Sequence, residues 1–243
     1  VERIRLAGKG LVVLKVGSSE LGSEATKAHT GALITSRDAY DSFFAECGVA
    51  VVRDYDELVA SMECFSQLRR TAGKGGVAIA GISGGQTALA CDVADELGIE
   101  LARFGTKTSD IIRSALPGNA GGNPVDIGAT VQPEARKTPE ALHGILGDPS
   151  VGALAILQDS QTSLNPITLQ NYMRHIPTYA EVGREAGKPV VVVSPTSDPL
   201  HEQITTELAA AGVPLLRGLR PGLAAIGKLA TGRIGMAGNW YPA

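Results

Sequence analysis

Aromatic residues are scarce in this chain. Phe, Trp and Tyr together make up 4% of its 243 residues, so its core has to be filled by Val, Leu, Ile and Ala. Cysteine is scarce too. Cys47, Cys64 and Cys91 are odd in number, far apart and without metal-type spacing. They offer no disulfide framework and no thiolate metal site, and they suit a reducing, cytoplasmic setting. No long basic run occurs and the formal net charge is −3, so nucleic acid is not an expected partner. No apolar run reaches the length of a membrane span, which leaves no membrane partner to expect. The opening "VERIRLAGKG" has no apolar signal-peptide core.

What is present is glycine, 30 residues of it, and aliphatic runs at regular intervals. "LVVLKVG" and "VAVVRD" read as buried strands, with a helix from "TGALITSRDAYDSFFAECG" between them and "YDELVASMECFSQLRR" after them. Beyond "TAGKGG" (71–76) the alternation continues. "VAIA", "IELARF", "GALAILQ", "KPVVVVSP" and "VPLLRG" are expected strands, each followed by a helical pattern, and "GNAGGNPVDIG" is expected to be a Gly/Pro-rich loop. Strands alternating with helices predict an α/β fold, a parallel flavodoxin-like sheet with helices on both faces.

The two ends of the chain resemble each other. "AGKGLVVLKVG" and "AECGVAVVRD" near the start match "AGKPVVVVSP" and "AAAGVPLLRG" near the end, so that Val49 falls on Val213 and Arg53 on Arg217. An internal repeat follows. Residues 71–243 are expected to form a complete flavodoxin-like module, and residues 1–70 the last part of another. Lys9 to Val49 spans 40 residues, against 25 from Lys188 to Val213. The surplus in the first copy, roughly "GSSELGSEATKAHTG", is a long loop where parallel sheets place their chemistry.

That loop holds His29. A histidine there is a nucleophile, a general base or an idle surface group. Beside it Thr30 reads as a helix N-cap, and Gly31 allows close backbone approach. A second candidate is "AGISGGQTAL" (80–89), a strand, a glycine turn and a helix start. Ser83, Gly84 and Gly85 can present amides and a hydroxyl to a phosphate, or merely make a tight turn. The segment is neither a G-x-G-x-x-G fingerprint nor a Walker loop. In "GGNPVDIGA", Asn123 and Asp126 either bind a ligand or cap turns, the second being the simpler reading. His143, His175 and His201 fall in helical patterns without partner motifs, and no metal-ligand set is evident.

With these motifs placed, the sequence resembles the NDP-forming acyl-CoA synthetases, relatives of ADP-forming acetyl-CoA synthetase and succinyl-CoA synthetase. The resemblance rests on "GLVVLKVGSSELGSEATKAHTGAL", "DAYDSFFAECGVAVVRDYDEL", "ISGG" before a helix, and "NPVDIG". It implies that His29 carries a phosphoryl group between an acyl phosphate and ADP, held by the starts of two helices, one of them at Ser83–Gly85. It implies a carboxylic acid or acyl-CoA substrate, CoA, ATP or ADP, and Mg2+. These would be bound mainly by a CoA-binding domain and an ATP-grasp domain that this chain does not match. The chain is then expected to act with those domains or subunits, in a homo- or hetero-oligomer, and not alone. Ala28, Ile34, Thr35 and Arg37 depart from the family's S-H-T-G-A-L-A-G-S-D. A non-catalytic CoA- or acyl-CoA-sensing module, or a subunit-pairing module, is the alternative.

Overall fold

The computed structural model describes residues 1, 3–4, 10–30, 37–68, 75–128 and 137–230. In chain order the elements are β1 (Val12–Leu14), α1 (Glu20–Thr30), α2 (Arg37–Glu46), β2 (Ala50–Val52), α3 (Tyr55–Gln67), β3 (Gly76–Gly81), α4 (Gly84–Glu96) and α5 (Thr106–Ala115). There follow β4 (Val125–Asp126), α6 (Thr138–Gly147), β5 (Val151–Leu157), α7 (Pro166–Ala186), β6 (Val190–Ser194), α8 (Glu202–Ala210), β7 (Leu215–Arg217) and α9 (Leu219–Ala230).

Every described strand pairing is parallel except one isolated bridge between Gln161 and Leu200. Five strands form one sheet in the order β4-β3-β5-β6-β7, and β1 and β2 form a second. Counted from β3, the larger sheet runs 2-1-3-4-5, the flavodoxin-like order. Its strands are apolar throughout because both faces are covered. Val77 and Ile79 of β3, Ala153, Ala155 and Leu157 of β5, and Val191 and Val193 of β6 pack beneath α3, α4 and α9. Their neighbours Ala78, Ala80, Leu154, Ile156 and Val192 pack on the other face against α5, α6, α7 and α8. The α/β class expected from the alternation is the one observed.

The edge of this sheet departs from expectation. Ile99–Phe104 is not a strand. Only Leu101 bridges to Val77, and the edge is taken by Val125–Asp126, which lies in the expected loop. Asn123 explains how. Its side chain accepts from Ile79 N (2.9 Å) and donates to Val77 O (2.9 Å) and Ala102 O (3.0 Å). One amide thus fills the ladder between Leu101 and Val125, satisfying backbone groups that β3 would otherwise leave unpaired.

The segments aligned in the expected repeat pair at corresponding positions. Val13 pairs with Val51 and Leu14 with Val52; their counterparts pair as Val192 with Leu215 and Val193 with Leu216. The helices that follow, α3 and α9, both begin two residues after the repeated arginine, and they pack against each other. Glu57, 3% exposed, meets Lys228 of α9 at 3.3 Å and accepts from the Arg53 amide at 3.1 Å.

The segment between β1 and β2 is more helical than expected. Ser19 Oγ accepts from Gly22 N at 3.1 Å, as an N-cap does, and Glu20 stands in the first turn. The result is an 11-residue helix where a loop was expected. Thr30 is its last residue and not the N-cap of the next helix, and Gly31 lies outside the described residues. Helix α2 is closed by Gly48, two residues past its end, whose φ of 64° is left-handed, with Val49 N donating to Phe44 O.

Candidate functional site

In the five-stranded sheet the chain passes from β3 outward to β4, then back across β3 to β5. The reversal opens a crevice at the carboxyl ends of β3 and β5, where open parallel sheets bind ligands. The Ser83 turn leaves β3 at that point. Ser83 is the N-cap of α4 by its extended backbone (φ −139°, ψ 125°), yet its hydroxyl makes no capping hydrogen bond, and no acidic residue stands in the first turn. A Cβ on Gly85 would meet only Ser83 Oγ at 3.8 Å, and one on Gly84 only Asp126 Oδ2 at 3.7 Å. Both glycines are exposed. Packing therefore does not require glycine at either position, and together they leave the positive end of the helix bare. Gly81 and Gly128 differ: a Cβ on Gly81 would lie 2.7 Å from Thr87 Cγ2, and one on Gly128 would overlap Ile82 O.

Two carboxylates flank the helix start. Asp126, at the end of β4, accepts from Gly128 N at 2.8 Å. Asp159, just beyond β5, accepts from Gln86 Nε2 at 3.0 Å. Burial, then the charge of Asp159, pushes the Tyr172 hydroxyl up to about 12. Deeper in the crevice Gln158 is fully buried, with Tyr179 Oη donating to its Oε1 at 3.3 Å. Gln86 Oε1, Gln158 Nε2 and His201 Nδ1 are buried without a hydrogen-bond partner among the described residues.

The structure places the expected site residues unevenly. Ser83, Gly84, Gly85 and Asp126 share the crevice. Asn123 is committed to the β3 edge as a structural amide. His29 is exposed in the last turn of α1, beside Lys27, and makes no hydrogen bond or ion pair among the described residues. Nothing described joins it to the Ser83 turn. Gln86, Asp159 and Tyr172 were not singled out from the sequence. Asp159 carried a usable signal, being the first charged residue after the apolar run of a central strand.

Fold and site together define a class: a flavodoxin-like α/β protein with a bare helix start, suited to an anion, at the switch point of its sheet. The family description "Succinyl-CoA ligase like flavodoxin domain" matches residues 1–65. The alpha subunit of ADP-forming acetate–CoA ligase II of Pyrococcus furiosus is 36% identical over 147 residues, which cover 60% of this chain and 31% of that protein. A trans-feruloyl-CoA synthase of an unknown prokaryotic organism is 30% identical over 192 residues, covering 78% of this chain and 26% of that one. Among solved structures, the dinucleotide-forming acetyl-coenzyme A synthetase 1 of Ca. Korarchaeum cryptofilum, in complex with phosphate and ADP, superposes with a TM-score of 0.70 at 21% identity. It covers 95% of this chain and 48% of that one. Residues 1–65 match a succinyl-CoA ligase-like flavodoxin domain, and the chain is similar to ADP-forming acid–CoA ligases. It spans about a third of the length of the curated relative and about half of the solved one.

Proposed function

We propose that this chain is the phosphoryl-carrying part of an NDP-forming acid–CoA ligase. Its cycle interconverts acyl-CoA, ADP and phosphate with the acid, CoA and ATP. Phosphate displaces CoA from the acyl group. An imidazole nitrogen of His29 then attacks the resulting acyl phosphate at phosphorus, the P–O bond to the acyl group breaks, and the carboxylate leaves. ADP takes the phosphoryl group from His29 and the imidazole is restored. The observation that carries this reading is the uncapped start of α4. Its amides and the uncommitted Ser83 hydroxyl suit a phosphoryl dianion without a cation that would trap it.

His29 in the last turn of α1 sits at the negative end of a helix, which opposes a dianion. Carrying the phosphoryl group therefore calls for amides other than those of its own helix, such as those of the Ser83 turn. Asp126 and Asp159 are then near enough to that turn to repel product as well as to orient the imidazole. The described residues do not fit the remaining requirements. No group of three or more His, Cys, Asp or Glu among them is placed to hold a metal. CoA, nucleotide and Mg2+ are thus assigned to CoA-binding and ATP-grasp partners, and the chain alone is inactive.

The test is phosphotransfer. The chain is combined with its CoA-binding and ATP-grasp portions, given labelled ATP and Mg2+, and examined for an acid-labile, base-stable phosphoprotein. Label that disappears in His29→Asn supports the ligase. An assembly that is folded and binds nucleotide but takes no label on His29 removes it, and leaves the non-catalytic sensing or pairing module.

A further inference from the structure

We propose that Asp159 is a positioning residue for the start of α4. By holding the Gln86 side chain it keeps a capping box from closing over the amides that a phosphoryl group needs. The inference deepens the ligase reading, because it rests on that helix start as the phosphate-binding element, and it claims no new site.

Ser83-Gly84-Gly85-Gln86 has the form S-x-x-Q. In a capping box of that form the serine hydroxyl accepts from the N3 amide, and the glutamine side chain reaches back to the N-cap amide. Ser83 occupies the N-cap with an extended backbone, and Gln86 stands at N3. Local chemistry therefore favours a closed box. The structure has neither of its bonds. The Ser83 hydroxyl makes no capping bond, and no described residue accepts from the Ser83 or the Gln86 amide. Gln86 Nε2 donates instead to Asp159 Oδ1 at 3.0 Å, across 73 residues of sequence.

The other atom of that amide is a second, independent observation. Gln86 Oε1 is buried without a partner among the described residues, and an orphaned buried acceptor is unfavourable. In a closed box it would accept from Ser83 N and be satisfied. A simple tie between α4 and β5 accounts for the Nε2 bond, but not for an oxygen left unpaired three residues from an unpaired N-cap amide. Asp159 has the right place and the right chemistry to hold it there. The register sets Leu157 beside Gly81, so the residues beyond β5 lie next to the turn that leaves β3. An ionised carboxylate only accepts, so it takes the amide by its nitrogen. Phosphoryl oxygens are acceptors too. They compete with Gln86 Oε1 and Ser83 Oγ for the same two amides, so the closed box and the bound phosphoryl group exclude each other.

The test uses the chain itself, with inorganic phosphate as the probe. Asp159→Ala removes the hold and a negative charge together. Asp159→Asn removes the charge and leaves an acceptor for Gln86 Nε2. Amide exchange at Ser83 and Gln86 should slow about fivefold or more in Asp159→Ala and stay at the parent rate in Asp159→Asn. Phosphate should bind Asp159→Ala about fivefold more weakly than Asp159→Asn; charge alone would make the two alike. Adding Gln86→Ala to Asp159→Ala should bring the phosphate affinity back toward that of Asp159→Asn, a recovery that a misfolded variant cannot show. Equal phosphate affinity in Asp159→Ala and Asp159→Asn overturns the proposal, and so does unchanged exchange at Ser83 and Gln86 in Asp159→Ala. A parent chain that takes up no phosphate sinks the anion reading of the helix start instead. The exchange rates then decide the role of Asp159 by themselves: protection of both amides in Asp159→Ala supports it, and its absence overturns it.

Discussion

Gly85 has room for a side chain, and that makes it an informative residue. Gly85→Glu removes a helical glycine and adds an acid to the first turn, so the fold should gain about 1 kcal/mol. The same carboxylate competes for the place of the phosphoryl group, so labelling of the reconstituted assembly should fall by about a hundredfold. Thermal melts and the labelling assay read the two effects separately; a destabilised variant with normal transfer would contradict the bare-helix reading. Asp148 makes a different case. Burial acts to raise its carboxyl, but hydrogen bonds from Thr108, from Ser150 side chain and backbone, and from the Gly105 amide outweigh it and hold it at about 2. The folded value lies below the ordinary 3.8, so this stability is present above pH 3.8 and lost as the pH falls toward 2. Asp148→Asn should cost about 2 kcal/mol at neutral pH and flatten the acid limb of a stability–pH profile over that window. The Ser83 turn was legible because strand, glycines and helix start are contiguous. The work of Asn123 was not, because its partners Ile79 and Val77 lie 44 and 46 residues away.

Helix α3 joins the two sheets, and the Glu57–Lys228 pair lies in that join. Lys228→Met leaves the Glu57 carboxylate buried with only the Arg53 amide, and should cost about 3 kcal/mol in a denaturant titration. The double variant Glu57→Gln, Lys228→Met should recover part of that loss, since no unpaired charge remains. A double variant as unstable as the sum of both singles would show that the two groups do not interact. Element types were readable wherever one period dominated. The aliphatic runs at β1, β6 and β7 and the helices flanked by glycine stand where the sequence places them. Two elements were misread for the same reason: local propensity was overruled by what lay alongside. "IELARF" has the composition of a strand, but Asn123 and Val125 occupy most of the β3 edge it would need. The segment before His29 carries Ser, Gly and Glu like a loop, but a Ser19 cap and the helix formers Leu21, Glu24, Ala25, Lys27 and Ala28 outweigh Gly22.

At the scale of the molecule, two sheets of unequal size share one helical layer. Strands β3, β5 and β6 are buried along their whole length, while β1 is only partly buried. A two-stranded sheet is marginal by itself. Native-state hydrogen exchange should find β1 and β2 opening about a hundredfold faster than β3 and β5, through local rather than global unfolding. Equal protection would mean that the chain opens as one cooperative unit. The repeat expected from four short segments predicts this asymmetry. Which helix of each copy would meet the other was not legible, since nothing local encodes it.

The meeting of α3 with α9 has a consequence for how such a join can diverge. Two identical subunits related by a twofold axis use every contact twice, so a change on one side is also a change on the other. Copies fused in one chain escape that bond. Under the repeat, Glu57 corresponds to Pro221 and Lys228 to Cys64, a proline and a fully buried thiol that cannot reproduce the ion pair. The charge therefore occurs once, on one flank only, and works as a key with a single tooth: it distinguishes the first copy from the second and gives the join a handedness that a symmetric dimer could never acquire.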